Sequence, residues 1–453
     1  MIKRKLFIFI VIILGLIIIA ASQYPKLYIA TGYGAKTMAT ALFKLNRDPQ
    51  LTQSIDLRYS IMKYTSSKID YLNKSVITSF FGLAKQTAVY REGYGACLIG
   101  EHSLEDLQRL SFNPPIVKRP TVWHTPWPVG DLVKDTTFEE VDTVKLKNAV
   151  NTAFGSPDTD LRLTAAVVVL YKGELIAEQY SSKMGITAES QLWGWSMTKS
   201  LINAMAGILT KQHRLNVHAT APIKEWLNDR RRDITISDLM HMSSGLKWDE
   251  NYEDVSSVTT MLYLSGDCYQ KAIGEPYEKT PGTEWKYSSG TTNILSGILR
   301  TSIGNDQEYH NFPYKELFNK IGMSSAFIET DAAGNFVGSS YGYATARDWA
   351  RFGLLYYNDG VWKGDTILPA GWVNYTRTPA KGSGGKYGAQ FYLNASKRFN
   401  DAPEDMYFCS GHRGQKIFII PSRKIVLVRL GFMDDGFDFN GFLRDVLGSI
   451  KQN

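Results

Sequence analysis

Apolar positions recur at helical spacing along several stretches in the middle of the chain. The clearest stretch places its apolar residues on one face, with no proline to interrupt it: Met197, Leu201, Ile202, Met205, Ile208 and Leu209. This spacing predicts a helix over residues 196–212 that begins at Ser196. The same criterion predicts helices over residues 237–242, 291–301 and 345–357.

Runs rich in β-branched residues predict two hairpins far apart in the chain. Residues 165–171 and 174–180 flank the pair Lys172-Gly173, and residues 415–420 and 425–431 flank a turn that contains Pro421. Helices are predicted at 144–154 and at 439–450. The pattern predicts an α+β fold, in which an antiparallel sheet built from both ends of the domain is flanked by helices and carries a mostly helical inserted subdomain.

The N-terminal segment has a different pattern. Lys3-Arg4-Lys5 precedes residues 6–21, which are apolar apart from Gly15. Such a segment is typical of a signal peptide, here with a small-residue cleavage site near residues 20–22, or of an uncleaved transmembrane anchor, which its length slightly favours. We therefore expect a membrane partner through residues 6–21. We expect the rest of the chain in a bacterial-type cell envelope, on the periplasmic or extracellular face.

Residues 23–110 mix helical and extended patterns and contain no catalytic constellation. Five prolines between residues 114 and 128 then predict an extended linker. These observations divide the chain into a signal or anchor segment (residues 1–22), an N-terminal extension with a proline-rich linker (23–129) and a main domain (130–453).

Composition indicates a globular protein and excludes an obvious nucleic-acid partner. Of the 453 residues, 44% are hydrophobic and 21% are charged. The formal net charge is +7, and it falls to +4 without the three basic residues of segment 1–22. The one basic cluster, Arg230-Arg231-Arg232, is flanked by aspartates, which favours a solvated turn. Cys97, Cys268 and Cys409 allow at most one disulfide, and the sequence does not say which.

Ser196 and Lys199 form the candidate catalytic pair. The first turn of a helix presents free N–H groups and the positive end of the dipole, which favour negative charge on a serine oxygen. Lys199 lies one turn further on the same face, and if that face is buried, the loss of solvation favours a neutral amine that could take the serine proton. The same spacing follows Ser60, Ser244 and Ser383, but only Ser196 begins a clean amphipathic helix.

Two further segments carry groups that acyl transfer requires. Tyr287 precedes a predicted helix in a polar loop, from which its hydroxyl could exchange protons with a leaving group. His412-Arg413-Gly414-Gln415 begins the last hairpin, where Gly414 could leave the N–H of Gln415 accessible to an oxyanion. An ordinary half-buried tyrosine and an ordinary loop glycine are the alternative interpretations.

With these motifs in order, the sequence resembles the serine β-lactamase and penicillin-binding-protein superfamily. The similarity is to its class C-like branch of esterases and 6-aminohexanoate-dimer hydrolases, and it spans roughly residues 130–450. The segments that carry it are Ser196-Met197-Thr198-Lys199, residues 234–246, Tyr287-Ser288-Ser289-Gly290, residues 343–355 and Gly411-His412-Arg413-Gly414-Gln415. The resemblance implies an exported serine hydrolase that acts on a small ester or amide through an acyl-serine intermediate.

The resemblance also implies roles for individual residues. Ser196 would be the acylated nucleophile, Lys199 its proton acceptor or electrostatic partner, and Tyr287 the general base and acid. The backbone N–H groups of Ser196 and Gln415 would hold the oxyanion. The residues that it assigns to substrate binding are Tyr252, His412, Arg413 and Gly414, with Tyr252 similar to the substrate-covering tyrosine of the dimer hydrolases.

Two departures from the superfamily pattern bear on the substrate. Ser289 stands where β-lactamases carry the asparagine of Tyr-x-Asn, and His412-Arg413-Gly414 stands where they carry Lys-[Ser/Thr]-Gly. A histidine near neutral pH attracts a substrate carboxylate only in part, whereas a lysine is fully charged. Esters or amides are therefore favoured, and a true β-lactamase or a D-alanyl carboxypeptidase is the alternative.

Other classes of function are less well supported by the sequence. Residues 338–342 match the nucleophile elbow of α/β-hydrolases around Ser340, and Asp401 or Asp405 and then His412 follow in the order of that fold's catalytic triad. No clear strand precedes residues 338–342, although such an elbow requires one. A catalytically degenerate exported binding domain is the non-enzymatic alternative. The seven histidines show no His-Glu-x-x-His spacing and residues 382–386 lack P-loop spacing, so no metal or other cofactor is predicted.

Overall fold

The structure is a computed structural model that describes residues 2–116, 125–134, 136–155, 163–433 and 436–451, with the backbone alone for residues 2–6 and 8–22. The chain divides into two compact units. Unit 1 comprises Met1–Phe112, Asp249–Cys268 and Thr330–Gly334, and unit 2 comprises Asn113–Trp248, Tyr269–Glu329 and Asn335–Asn453. The division into residues 1–22, 23–129 and 130–453 remains a prediction.

The strands of the described chain, numbered from the N-terminus, are β1 (Thr65–Asp70), β2 (Ser75–Phe80), β3 (Leu83–Arg91), β4 (Gly95–Leu98), β5 (Thr164–Tyr171), β6 (Glu174–Tyr180), β7 (Leu192–Trp193), β8 (Phe327–Ile328), β9 (Gly342–Ala344), β10 (Val361–Trp362), β11 (Asp365–Thr366), β12 (Tyr392–Leu393), β13 (Tyr407–Gly411), β14 (Gln415–Ile420) and β15 (Ile425–Gly431).

The α-helices, numbered in the same way, are α1 (Ile2–Phe43), α2 (Pro49–Ile55), α3 (Leu104–Gln108), α4 (Thr143–Phe154), α5 (Thr198–Lys211), α6 (Ile236–Met240), α7 (Ser257–Leu264), α8 (Cys268–Ile273), α9 (Ser289–Ile303), α10 (Asp306–Phe312), α11 (Ala346–Tyr357), α12 (Trp372–Arg377) and α13 (Phe439–Gly448).

Unit 2 is built around a six-stranded antiparallel sheet in the order β12-β13-β14-β15-β5-β6. β5, from the beginning of the unit, pairs with β15, from its end, and Val168 lies opposite Val428. The predicted α+β fold, with a sheet built from both ends of the domain, is therefore confirmed. Lys172 and Gly173 have positive φ angles of 52° and 87°, which suits a two-residue hairpin turn between twisted strands.

Helices cover both faces of this sheet. On one face, apolar side chains of α4, α13 and β5 form a buried cluster that includes Leu146, Val150, Leu443, Val446, Val167 and Val169. On the other face α11 lies so close that a Cβ on Gly353 would overlap Val426. Because both faces are covered, β5 is buried along its whole length, and its sequence is continuously apolar rather than alternating.

Unit 1 contains α1 and an antiparallel sheet in the order β1-β2-β3-β4. Every residue of α1 from 29 to 42 is buried, and this part of the helix packs against β2, β3 and α7. The approach to α7 is so close that a Cβ on Gly32 would overlap the carbonyl oxygen of Tyr263. In this region the sequence mixes helical and extended patterns, and neither this buried length of helix nor the sheet was predicted.

Three further predictions concern the cysteines, the N-terminal segment and the proline-rich stretch. Cys97, Cys268 and Cys409 are all buried, and none forms a disulfide. Among the described residues we find no helix that is both long and apolar enough to cross a membrane. The side chains of residues 6–21, apart from Phe7, and residues 117–124 of the proline-rich stretch lie outside the described residues.

Candidate active site

Ser196 lies in a sharp turn between β7 and α5. The turn is a single 3₁₀ segment, Trp195–Met197, after which α5 begins at Thr198 rather than at Ser196 itself. Trp195 has a positive φ of 49°, which is unusual for a bulky residue, and its ring stacks on Trp193 with centroids 4.0 Å apart. The strained turn leaves Ser196 only partly buried, whereas most of the surrounding residues are buried.

The end of β13 fixes this turn from one side. A Cβ on Gly411 would overlap the carbonyl oxygen of Gly194, two residues before Ser196. On the other side, the N–H of Gly194 donates to the carbonyl oxygen of Gly342 over 2.8 Å. Backbone contacts from two sheets therefore hold the turn that carries Ser196.

Lys199 lies in the first turn of α5, and only 1% of its surface is exposed. Its Nζ is 3.1 Å from Ser196 Oγ, 3.0 Å from Ser289 Oγ and 2.9 Å from the carbonyl oxygen of Ser339. An ammonium group can donate to all three oxygens, whereas a neutral amine can donate to two and accept the hydroxyl proton of Ser196. The geometry therefore suits both protonation states of a proton-transfer partner.

Tyr287 approaches the same lysine from the segment before α9. Lys199 Nζ lies 4.9 Å from the centroid of the Tyr287 ring. The ring packs edge to face on Tyr387 and is stacked with Tyr392, with centroids 5.8 Å apart in both pairs. The half-buried Tyr287 is thus held by aromatic neighbours beside the Ser196–Lys199 pair.

The sequence did not predict the parts played by Ser289, Ser339 and Asn293. Ser289 replaces the asparagine of the superfamily pattern, yet its hydroxyl contacts Lys199. The amide of Asn293 on α9 accepts from the N–H of Ser339 and donates to its hydroxyl, both over 3.2 Å. Asn293 therefore positions the carbonyl group that receives a hydrogen bond from Lys199.

The structure does not form the alternative nucleophile elbow around Ser340, which the sequence disfavoured. Ser340 is 2% exposed and lies in a turn that no described strand precedes. A Cβ on Gly338 would overlap Ile202 of α5, and one on Gly342 would overlap Thr198. The glycines of this segment thus allow it to pack closely on α5, and the segment does not expose a nucleophile.

The turn at residues 412–414 is held from beneath by two buried side chains. Arg429, which is fully buried, donates from Nη1 to the carbonyl oxygens of Arg413 and Gly414 over 3.0 and 3.2 Å. Gln415 donates from Nε2 to the carbonyl oxygen of His412 over 3.0 Å. Arg413 itself is buried and has a positive φ of 61°. The turn is thus rigid, while the role of the Gln415 N–H as an oxyanion donor remains a prediction.

His412 follows Gly411, and its ring packs edge to face on Trp195 with centroids 5.3 Å apart. His412 is exposed at the surface. Desolvation by the surrounding protein, together with the Arg413 guanidinium, lowers the pKa of His412 below its usual value. The neutral form is therefore favoured at pH 7.

Tyr252, predicted to cover the substrate, belongs to unit 1. It is 42% exposed, and its hydroxyl donates to Glu250 over 3.1 Å. Its role therefore remains a prediction.

A separate cavity of about 560 Å³ lies at the C-terminal end of α5, where His213, His218, Trp372 and Tyr375 contribute to its lining. By helical rise that end is about 20 Å from Ser196, so this cavity is not the cleft of the Ser196–Lys199 pair. Within the described residues, no group of three or more His, Cys, Asp or Glu side chains is arranged to hold a metal ion.

Comparisons with known proteins agree with this geometry. A family model described as Beta-lactamase matches residues 152–431. The 6-aminohexanoate-dimer hydrolase of Paenarthrobacter ureafaciens is 24% identical in an alignment of 315 residues that covers 62% of this chain and 76% of that protein.

Among solved structures, a Bacillus anthracis protein named as a candidate 6-aminohexanoate-dimer hydrolase is 21% identical, with a TM-score of 0.55 over 75% of this chain and 91% of its own. EstCE1, a hydrolase with promiscuous acyltransferase activity, is 14% identical, with a TM-score of 0.53 over 68% of this chain and 97% of its own. These two likenesses show a shared fold.

Proposed function

This chain belongs to the Beta-lactamase family of serine hydrolases, and from that premise we propose that it cleaves a small ester or amide through an acyl-serine intermediate. The observation that carries the proposal is the contact of Lys199 Nζ with Ser196 Oγ over 3.1 Å, at a turn where the serine is partly exposed and the lysine is buried. A nucleophile and its activator are thus preassembled.

The proposed reaction has two stages. Ser196 Oγ attacks the substrate carbonyl and passes its proton to Lys199 or Tyr287, while the N–H groups of Ser196 and Gln415 stabilise the oxyanion. Tyr287 protonates the leaving alcohol or amine, and the acyl group stays on Ser196. Water then attacks the acyl-serine with the same groups acting in reverse, and the acid product leaves.

His412 stands where β-lactamases carry a lysine, which disfavours substrates that are recognised through a carboxylate at that position. β-lactams and D-alanyl peptides carry a carboxylate, for which a neutral His412 offers hydrogen bonds but no charge. The relative from Paenarthrobacter ureafaciens, named as a hydrolase of an amide dimer, adds support for an amide. A true β-lactamase or D-alanyl carboxypeptidase is the alternative activity, and a degenerate binding domain is the non-enzymatic alternative.

A fluorophosphonate probe tests the nucleophile directly. We expect covalent labelling of the wild type at Ser196, shown by peptide mass spectrometry, and none in Ser196→Ala. Ser340→Ala is the matched control and should still be labelled. If the wild type is not labelled, the degenerate binding domain becomes the better interpretation, and labelling at Ser340 would contradict the proposed nucleophile.

A substrate screen tests the class of carbonyl compound. We expect hydrolysis of a short-chain p-nitrophenyl ester or a linear amide dimer to exceed that of a chromogenic cephalosporin and of a D-alanyl-D-alanine peptide. Ser196→Ala should lower the preferred activity by at least about 10³-fold. A higher kcat/KM for the cephalosporin or for the peptide would favour the alternative activities.

We also propose that the protein is exported and remains attached to the membrane through residues 6–21. The support is the sequence alone, in which Lys3-Arg4-Lys5 precedes the apolar run. After cell fractionation, the protein should stay in the pellet on washing with alkaline carbonate, and protease added to spheroplasts should digest it. Release by the wash would favour cleavage of the segment, and protection from protease would contradict export.

A further inference from the structure

Unit 1 exposes a cluster of apolar side chains at the turn between β2 and β3. Tyr64, Phe81 and Leu83 are 51%, 75% and 56% exposed, and Phe80 is half-buried. The rings of Phe80 and Phe81 pack edge to face at 5.0 Å, and Tyr64 stacks on Phe81 at 6.3 Å. We call these four residues the aromatic turn. A group of contiguous exposed apolar residues usually marks a surface that binds something.

The conformation of this turn is unfavourable for the residues that occupy it. Phe81 and Ala84 have positive φ angles of 47° and 46° on either side of Gly82, whose own φ is 81°. A bulky residue in the left-handed region is strained, and no protein atom lies near the position of a Cβ on Gly82. Strain and exposure thus coincide at Phe81, so neither local structure nor core packing explains an aromatic residue there.

The aromatic turn lies at the end of unit 1 where α1 leaves the sheet. Thr31 on α1 donates from its hydroxyl to the carbonyl oxygen of Ala84 over 2.6 Å, directly beside the turn. At the other end of the sheet, the Phe43 ring lies 6.1 Å from that of Tyr71. Followed toward its N-terminus, α1 therefore extends beyond the sheet of unit 1 beside the aromatic turn.

This geometry relates the turn to the apolar N-terminal segment. Residue 23 precedes Thr31 by eight positions, which is about 12 Å of helical rise. If residues 6–21 cross a bilayer, its headgroup layer begins near residue 22 and is roughly 5–8 Å thick. Phe81 lies three positions beyond Ala84 in the direction of residue 23, which is up to about 10 Å of strand rise and brings the aromatic turn to the level of this layer. Tyr24 and Tyr28 form an edge-to-face pair at 5.4 Å at the same level, as is common for aromatic residues at a bilayer interface.

The strands on either side of the turn carry positive charge. Residues 57–69 and 75–90 contain Arg58, Lys63, Lys68 and Lys85 and no acidic residue. Lys63 Nζ lies 5.0 Å from the centre of the Tyr64 ring, so a positive charge accompanies the apolar surface. Aromatic and basic side chains together favour the interfacial layer of an anionic bilayer, where apolar surface and positive charge are both satisfied.

We propose that the aromatic turn inserts into the headgroup region of an anionic phospholipid bilayer and so fixes the orientation of unit 1 on the membrane. The proposal rests on the attachment through residues 6–21 proposed above. It adds a second membrane contact, about 60 positions further along the chain, whose effect is to restrict rotation about α1.

The full chain can be labelled selectively, because its three native cysteines are buried. Phe81→Cys and Leu83→Cys place a fluorescent nitrobenzoxadiazole group in the aromatic turn. Leu72→Cys places the same group at the opposite turn, where Leu72 is 91% exposed, and serves as the matched control. Each protein is reconstituted into phosphatidylcholine–phosphatidylglycerol vesicles that carry a nitroxide quencher either on the headgroup or at the fifth acyl carbon.

We expect the headgroup nitroxide to lower the emission from positions 81 and 83 by about half and to leave position 72 almost unchanged. An absence of quenching at 81 and 83 by either nitroxide, or equal quenching at all three positions, would overturn insertion. An emission change that depends on protein concentration and not on the quencher would assign the surface to a second copy of the chain. Flotation of the vesicles distinguishes the attachment through residues 6–21 from the contact of the aromatic turn. Protein that does not float with the vesicles refutes the attachment, and the proposed contact with it.

Discussion

The Nζ of Lys199 forms hydrogen bonds with three separate segments of the chain. Its Nζ contacts hydroxyl groups of Ser196 and Ser289 and the carbonyl oxygen of Ser339, which lie 3, 90 and 140 positions away in sequence. Because the amine is buried, each contact replaces a hydrogen bond that water would otherwise provide. The loss of one contact should therefore affect the position and the proton affinity of the amine together.

The hydroxyl of Ser289 offers a direct test of this arrangement. Ser289→Ala removes one acceptor from a buried nitrogen, and we expect kcat/KM for the preferred ester or amide to fall by about 10- to 100-fold. The pH profile of kcat/KM should shift as well, because the removed oxygen interacts differently with the amine and the ammonium.

Ser296→Ala is the matched control, since Ser296 is equally buried on α9 but its hydroxyl donates to the helix carbonyl of Thr292. Its kcat/KM should stay within about twofold of the wild type. If both variants lose activity alike, the effect belongs to the packing of α9 and not to Lys199.

The charge of His412 affects how efficiently the site acts on a substrate that carries a carboxylate. Its lowered pKa keeps it neutral from pH 8 to pH 6, so the ratio of kcat/KM for a carboxylate-bearing substrate to that for a neutral ester should be constant in this window. His412→Lys adds a permanent positive charge and should raise the ratio about five- to tenfold. A ratio that rises in the wild type as the pH falls toward 6 would show that His412 titrates near its usual value.

The lowered pKa of His412 also predicts how the stability of the protein depends on pH. The unfolded chain binds a proton at His412 below about pH 6.5, whereas the folded chain binds it only at lower pH. The wild type should therefore lose more stability between pH 7.5 and pH 5 than His412→Asn, as measured by urea unfolding at each pH. Equal losses would place the pKa of His412 in the folded protein near that of the unfolded chain.

At the residue scale, the sequence predicted the contacts that are local and left out those that are distant. Ser196 and Lys199 are one helical turn apart, so spacing alone pairs them. Tyr287 was a candidate from its place before a predicted helix, and the family resemblance added its role. Asn293 and Arg429 act by holding backbone groups that only the folded chain brings to them. An ordinary helix asparagine and an ordinary strand arginine carry no such signal in one sequence.

At the element scale, the position of Ser196 depends on how closely β13 approaches the turn before α5. Gly411→Ala would place a methyl group against the carbonyl oxygen of Gly194, and neither backbone can move without shifting the turn. We expect a loss of about 1–3 kcal/mol in unfolding free energy and a fall of about 100-fold in kcat. Thermal unfolding and steady-state kinetics measure the two effects.

Gly448→Ala provides the comparison for this change. Gly448 ends α13, and no protein atom lies near the position of its Cβ, so the substitution should stabilise the protein by about 0.5–1 kcal/mol and leave kcat unchanged. Normal kcat in Gly411→Ala would show that the turn carrying Ser196 is not held by β13.

Periodicity predicted the elements of unit 2 better than those of unit 1, for a physical reason. The predicted hairpin at residues 415–431 has the bounds that the structure shows for β14 and β15, because each strand has a buried apolar run and a turn between. Residues 29–42 of α1 are buried all round and rich in alanine, glycine and threonine, so this part of the helix has no polar face to reveal its period. Its partner α7 follows more than 200 residues later in the chain, beyond the reach of any local pattern.

At the scale of the whole molecule, no cross-link contributes to stability. Cys97, Cys268 and Cys409 are buried, and burial raises the pKa of the Cys268 thiol and raises that of Cys409 to about 12. A thiol reagent should therefore react with none of the three in the native protein at pH 8 and with all three in denaturant. Reducing agent should leave Tm unchanged. Fewer than three reactive thiols in denaturant would reveal a disulfide.

Unit 1 is assembled from three separate stretches of chain, the last of which ends at Gly334. At roughly 5–20 residues per second, the roughly 220 residues between Phe112 and Gly334 leave the ribosome over about 11–44 s. During synthesis of roughly the first 150 of these residues, α1 and its sheet lack α7, which covers part of the helix. We therefore expect the nascent protein to require chaperone protection until translation has passed residue 334, and early termination before that point to yield an insoluble fragment.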